Sequence, residues 1–169
     1  MSDESSEPPV DPRIDEMVRM PDSMREIVMN AEFLLDEWIT NYLRAQPELY
    51  TVVRQAGMTP DQKFHIVMGH IGAFDGDDPD VRDTFMFLRH LYRIRASAAR
   101  LGEDKLLGAL SSAYIQTHGS AGHDRIIESH SVSWIVKEVL ADSLAMAHDC
   151  LTCCAAPDPG NDGEADDEL

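Results

Sequence analysis

The amino-acid sequence predicts an all-α protein: a single-domain helical bundle of about six helices with disordered acidic tails. Apolar residues recur every three or four positions through most of the chain, which is the repeat of one helix face. Pro, Gly and Asp residues divide the chain into segments of helical length. The strict alternation that is typical of a half-buried strand is essentially absent. A chain of 169 residues suits one such domain.

Three helices are predicted in the N-terminal half, over residues 23–46, 48–56 and 60–74. Asp22 or Ser23 can cap the first of them, because a short polar side chain satisfies the free backbone N–H groups of a first turn. Gly57 follows the end of the second helix. Thr59 and Pro60 predict the cap and the first turn of the third helix.

Three more helices are predicted in the C-terminal half, over residues 79–101, 103–117 and 124–155. Asp78 can cap the first of these, and Pro79 suits its first turn. Gly119 follows the end of the second helix, and residues 118–123 are predicted to form a loop. The last segment is long, and a break near residues 129–133 would divide it.

The acidic charge is unevenly distributed along the chain. The formal net charge is -17, of which residues 1–13 contribute -3 and residues 157–169 contribute -6. Segments rich in acid, Pro, Gly and Ser bury too little apolar surface to order themselves. We therefore predict disordered acidic tails at residues 1–12 and 156–169 around a helical domain at residues 13–155. The net charge also argues against an unspecific coat for nucleic acid.

Composition bears on the compartment as well. No run approaches about 18 consecutive apolar residues, so no membrane span is expected. The acidic start of the chain is not a secretory signal as written, and we expect a cytoplasmic or otherwise intracellular protein. An odd number of cysteines argues against a disulfide framework. Cys150, Cys153 and Cys154 are expected to be small buried residues near a helix end.

Arginines form a stripe on the helix predicted at residues 79–101. At about 100° per residue, four of them lie within roughly 20° of one line along the helix. These four are Arg82, Arg89, Arg93 and Arg100. A row of cations is unexpected in an acidic protein, so the stripe is the main candidate site for an anion or a nucleic acid.

The arginine stripe has three interpretations. It can be a solvated face whose members pair with nearby acids such as Asp83. It can bind phosphate groups, because the planar guanidinium matches their geometry and a local patch acts despite an acidic whole. It can also meet an acidic stripe on the last helix in a ladder, either within one subunit or between two. That acidic stripe comprises Glu138, Asp142 and Asp149.

The stretch from residue 132 to residue 151 is apolar on most sides. A helix of this kind is buried in a core or at an interface. We expect it to be the central helix and, because large side chains lie on two faces, to form the seam of a homodimer. The predicted interface residues are Trp134, Ile135, Val139, Leu144 and Leu151.

His118, His123 and Asp124 are the candidate metal ligands, because imidazole and carboxylate together bind zinc or iron. The His-Asp pairs at residues 123–124 and 148–149 resemble the pairs found in metal-dependent phosphohydrolases of the HD type. That resemblance implies phosphate-ester hydrolysis. No nucleophile elbow, phosphate-binding Gly-rich loop or dinucleotide fingerprint occurs in the sequence.

The leading hypothesis is a non-enzymatic, intracellular interaction or regulatory protein that acts as a homodimer, needs no cofactor and can bind a protein partner. The first alternative is a protein that binds RNA or DNA through the arginine stripe. The second alternative is a metal-dependent phosphohydrolase that uses the histidine region.

Overall fold

A computed structural model describes residues 10–19, 23–73, 78–98, 100–128 and 131–155. In these ranges the chain forms seven helices and no strand, which confirms the all-α fold class. The helices are α1 (Pro12–Arg19), α2 (Met24–Ala45), α3 (Pro47–Gln55), α4 (Pro60–His70), α5 (Pro79–Ala98), α6 (Glu103–Glu128) and α7 (Val132–Ala155). None of the described helices is both long and apolar enough to cross a membrane.

Local capping chemistry starts α2 and α4 where the sequence predicts. The Ser23 side chain accepts a hydrogen bond from the backbone N–H of Glu26 at 3.3 Å, and the Glu26 carboxylate accepts one from the Ser23 N–H at 3.2 Å. Thr59 and Gln62 form the same reciprocal pair at the start of α4. Each pair satisfies two backbone donors that a helix start leaves free.

The folded region begins before the boundary that the sequence predicts. Pro12 opens α1, and Asp11 is only 9% exposed, so both lie outside any disordered tail. Asp11 is ordered because its carboxylate accepts hydrogen bonds from Arg13 and from the Trp38 indole of α2. The rest of the two predicted tails, residues 1–9 and 156–169, falls outside the described residues.

The predicted interruption near residue 118 is present at Gly119, but the predicted loop at residues 118–123 is too long, since the chain is helical again from residue 120 to Glu128 within α6. Only Gly119 leaves the helical conformation, at φ 60° and ψ -140°, and it kinks the helix. Gly122 is buried, and a Cβ atom there would lie 3.0 Å from the Cβ of His118. The small residues that suggest a loop therefore serve a kink and a close contact inside one helix. The break after α6 makes α7 a separate, seventh helix.

The central helix is α2, which packs against each of the six other helices. Ile27, Val28, Ala31, Leu35 and Ile39 on its inner faces are fully buried. The sequence predicts instead that α7 is central. That helix packs against α1, α2, α5 and α6 and is buried along most of its length.

The start of α2 is attached to the connection between α5 and α6. The Arg25 guanidinium donates hydrogen bonds to the backbone carbonyls of Ala98 at 3.3 Å and Leu101 at 2.9 Å. The Ala98 carbonyl lies in the last turn of α5, where a helix leaves its carbonyls without intrahelical partners, so a cation is favourable there. The Glu103 carboxylate accepts a hydrogen bond from the Met24 N–H at 2.7 Å. The contacts hold α5 beside α2.

Candidate interaction surface

Two neighbouring clefts lie where α2, α4 and α5 meet. The first, here called the Phe33 cleft, has a volume of about 390 Å³ and is lined by Met29, Glu32, Phe33, Asp36, Pro60 and Arg95. The second, the Arg89 cleft, has a volume of about 350 Å³ and is lined by Ala56, Met58, Asp61, His65, Ile66 and Arg89. The consecutive residues Pro60 and Asp61 line one cleft each, so the first turn of α4 separates them.

Large apolar side chains are exposed in the Phe33 cleft. Met29 is 51% exposed and Phe33 is 66% exposed. Residues four positions apart share one face of a helix, so these two side chains form a short apolar ridge along α2. Most apolar residues of α2 are buried, and the ridge is therefore a second, solvent-facing apolar surface on the central helix.

A partly buried ion pair borders this ridge. The Arg95 Nε atom lies 2.8 Å from the Glu32 Oε2 atom, and Glu32 is only 8% exposed. Burial raises the pKa of the Glu32 carboxyl, while Arg95 lowers it and Asp36 raises it. Neither Glu32 nor Arg95 is among the site residues predicted from the sequence. The signal that could have found them is a charge at an apolar position, because Glu32 interrupts the apolar repeat of α2.

Three carboxylates act on the buried Tyr92 side chain between the two clefts. The Tyr92 hydroxyl has no hydrogen-bond partner among the described residues. Burial raises the pKa of this hydroxyl well above its ordinary value, and Asp36, Glu32 and Asp61 raise it further. Negative charge from α2 and α4 thus converges on this part of the surface.

Arg89 joins α5 to α4 in the second cleft. Its Nε atom lies 3.9 Å from the Asp61 Oδ1 atom, and its side chain is 27% exposed. Neither of these two atoms makes a hydrogen bond within the described ranges. The Arg89 guanidinium therefore lies beside a carboxylate of α4, at a distance longer than a hydrogen bond.

The other members of the arginine stripe have different surroundings. Arg82 lies beside Asp83, with 3.4 Å between Nε and Oδ1, as the solvated-face interpretation expects. Arg93 and Arg100 are exposed and have no ion pair within the part of the chain that the structure describes. The four arginines thus share a line on α5 but not a common role.

Within the protomer, the described residues of the arginine stripe and the acidic stripe do not meet in a ladder. Glu138 of α7 pairs with Arg125 of α6 at 3.1 Å, not with an arginine of α5. Asp149 lies 3.6 Å from the neighbouring His148. No described contact joins Asp142 to the arginine stripe. Arg82 and Arg93, like Glu138 and Asp149, lie 11 residues apart on their own helix. This equal spacing does not place the two stripes side by side in the protomer.

His118, His123 and Asp124 do not form the predicted metal site. The His118 Nδ1 atom lies 2.8 Å from the Thr117 hydroxyl and 3.2 Å from the Tyr114 carbonyl oxygen, both on its own helix. The His123 Nδ1 atom lies 3.7 Å from Asp124. Among the described residues, no three His, Cys, Asp or Glu side chains are grouped to hold a metal ion.

Most of the predicted dimer seam lies inside the protomer. Ile135, Val139, Leu144 and Leu151 are at most 5% exposed, because α1, α2, α5 and α6 cover them. Trp134 differs, since it is 57% exposed at the start of α7. Ile127 and Val132, within the same eight residues of chain, are 66% and 37% exposed. We call these last three residues the α6–α7 corner: Ile127, Val132 and Trp134.

The cysteines only partly match expectation. Cys150 is half-buried, and burial raises the pKa of its thiol. Cys153 and Cys154 are exposed, contrary to the expectation that all three are buried. All three thiols are free.

No known protein family, curated protein or solved structure matches this chain. In the described part of the chain, the two surfaces that expose large apolar side chains and bear on function are the α6–α7 corner and the Phe33 cleft.

Proposed function

We propose that this protein is a helical interaction protein that acts as a homodimer, with the α6–α7 corner as the contact. The observation that carries the proposal is the exposure of Trp134. Trp is among the residues most enriched at the energetic centres of protein interfaces. Ile127, Val132 and Trp134 are exposed within eight residues of chain, and groups of exposed apolar side chains are more typical of interaction sites than single ones.

The charge of this corner suits a second copy of the chain. The ionisable residues near it sum to -1, compared with -17 for the whole chain. They are Asp124, Arg125, Glu128, Lys137 and Glu138. Two copies that approach through the corner meet little like-charge repulsion, and the mixed signs are compatible with a two-fold contact in which each acid faces a base.

The size of the corner predicts a weak dimer. Stable specific interfaces bury about 800 Å² on each partner. Three partly exposed side chains supply only the centre of such an interface. We therefore expect association in the micromolar range or weaker, and a mass that rises with protein concentration.

The four arginines of the stripe have different surroundings, which disfavours a nucleic-acid interface along α5. Arg89 lies beside Asp61, and Arg82 lies beside Asp83. Among the described residues, two arginines of the stripe are exposed without an ion pair, and these offer few phosphate contacts, whereas affinity for nucleic acid depends on many of them.

Sedimentation equilibrium over a range of concentrations tests the dimer. We expect the wild type to show a concentration-dependent increase in mass, and Trp134→Ser to weaken association by about tenfold or more. Phe33→Ser is the matched control, because it removes a similarly exposed aromatic side chain from another surface. A strictly monomeric wild type at the highest concentration, or equal association of Trp134→Ser and the wild type, would overturn the proposal.

A further inference from the structure

We propose that the Phe33 cleft binds a basic, amphipathic helical segment of a partner protein. The inference rests on the proposed function as an interaction protein, but it uses a different surface from the dimer contact. The partner segment would place an apolar side chain against Met29 and Phe33 and a Lys or Arg side chain against Asp36.

The apolar ridge provides the first half of the recognition. Met29 and Phe33 are both more than half exposed and line one cleft. Aromatic and Met side chains are enriched at interfaces, and the flexible thioether of Met adapts to different apolar shapes. An apolar side chain from a partner would remove both from water.

Asp36 provides the second half. The other two carboxylates of this region have cations beside them, Glu32 with Arg95 and Asp61 with Arg89. Asp36 also lines the Phe33 cleft but has no ion pair among the residues that the structure describes. Its charge acts unfavourably on the Glu32 carboxylate. A cation from a partner would neutralise Asp36 and relieve this repulsion.

The charges select the partner. The two clefts together hold three carboxylates and two guanidiniums, in a chain with a net charge of -17. A cation placed beside Asp36 would complete the pairing of these charges, and a basic segment is attracted to the acidic chain over a long range.

The spacing on α2 favours a helical segment. Phe33 and Asp36 lie three residues apart, so an apolar group and a carboxylate are presented about one helical turn from each other. A partner helix presents an apolar and a basic side chain at the same separation. The described part of the chain has no strand, so an extended peptide has no sheet edge to join.

The experiment uses a synthetic probe. A fluorescein-labelled helical peptide of about 18 residues, built from Leu and Lys with Leu at helical spacing, is titrated with the full-length protein and followed by anisotropy. We expect saturable binding that survives in part when salt is raised from about 0.05 M to about 0.5 M, because apolar contact is not screened. A peptide with Glu in place of Lys should not bind.

Three variants locate the site. We expect Phe33→Ser to weaken binding by about tenfold, and Asp36→Asn to weaken it severalfold with a smaller salt dependence. Trp134→Ser should bind the peptide as the wild type does, even if this substitution abolishes the dimer. The dimer contact and the Phe33 cleft are therefore tested independently. Equal binding by Phe33→Ser, Asp36→Asn and the wild type would mean general attraction to an acidic body and would overturn the inference. Loss of self-association in Phe33→Ser would also overturn it, because a second copy would then occupy the cleft.

Discussion

Asp11 holds the start of α1 against α2 through a compact set of hydrogen bonds. Its carboxylate accepts from the Arg13 side chain at 2.6 Å and from the Trp38 indole N–H at 3.2 Å. Arg13 also donates to Glu37 of α2 at 2.9 Å. These bonds to the charged form lower the pKa of Asp11 to about 2, with Arg13 as the largest cause. A residue from the predicted tail thus fastens α1 to the central helix.

The low pKa of Asp11 predicts a pH dependence of stability. The folded-state pKa of about 2 is below the ordinary value of 3.8, so the stabilisation is complete above about pH 4 and is lost as pH falls towards 2. We expect Asp11→Asn to lower the free energy of unfolding by about 2 kcal/mol at pH 7 and to remove this part of the acid sensitivity. Urea denaturation at pH 7, 4 and 2.5 measures both effects.

Asp15→Asn is the control for this measurement. Asp15 pairs with Arg19 at 3.5 Å on the same helix, and its side chain is 70% exposed. An exposed pair of this kind contributes little, so we expect a change within about 0.5 kcal/mol. Equal losses in the two variants would show that Asp11 is no more than a surface charge.

Only part of the candidate site could be predicted from the sequence, because some of its charged residues lie outside any regular stripe. The arginine stripe drew attention to Arg89, which does line a cleft. Arg95 lies on another side of α5 and was missed, although it makes the shorter ion pair, with Glu32. The regular spacing of like residues shows which side chains share a face. It does not show which other helix covers that face.

At the scale of helices, α6 shows what glycine positions mean. Gly119 has a positive φ of 60° inside a helix that continues on both sides. Side chains other than hydrogen strain this conformation. The kink separates the part of α6 near Leu106 and Leu110, which are fully buried, from the part that carries the exposed Ile127. It therefore sets the direction in which the α6–α7 corner extends.

Gly119→Ala should destabilise the protein, and a second glycine of the same helix provides the comparison. No neighbouring atom lies within 4 Å of a Cβ built at Gly119, so the expected loss of about 1–2 kcal/mol comes from backbone strain alone. Gly108 has no positive φ and also has open space at its Cβ. Gly108→Ala should therefore stabilise the protein by about 0.5–1 kcal/mol. Thermal unfolding followed by circular dichroism measures both, and a stabilising Gly119→Ala would contradict the kink.

At the scale of the molecule, the distinction between core and contact surface lies within α7. Leu144 is fully buried, while Trp134 on the same helix is 57% exposed. Both residues are predicted at the dimer seam from their apolar character. Only the arrangement of the other helices separates them, because α1, α2, α5 and α6 cover most of α7 but leave Val132 and Trp134 at its start exposed.

Leu144→Ala should affect mainly the free energy of unfolding, whereas Trp134→Ala should affect mainly the affinity of the dimer. We expect Leu144→Ala to lower the free energy of unfolding by about 2–5 kcal/mol, because it leaves a cavity in the core. Trp134→Ala should change that free energy by only about 0.5 kcal/mol while it weakens the dimer. Urea denaturation and sedimentation report the two quantities. If Trp134→Ala lost much stability at protein concentrations too low for the dimer to form, the indole would belong to the core.

The sequence alone determined the helical class, most helix starts and the apolar faces, because caps, prolines and the repeat of three to four residues act within one turn of chain. It did not determine that α2 is central, that Glu32 meets Arg95, or that Trp134 alone of the predicted seam is exposed. Those features were decided by tertiary packing, since an apolar or charged stripe is compatible with several neighbours. Burial depends on which helix lies against it.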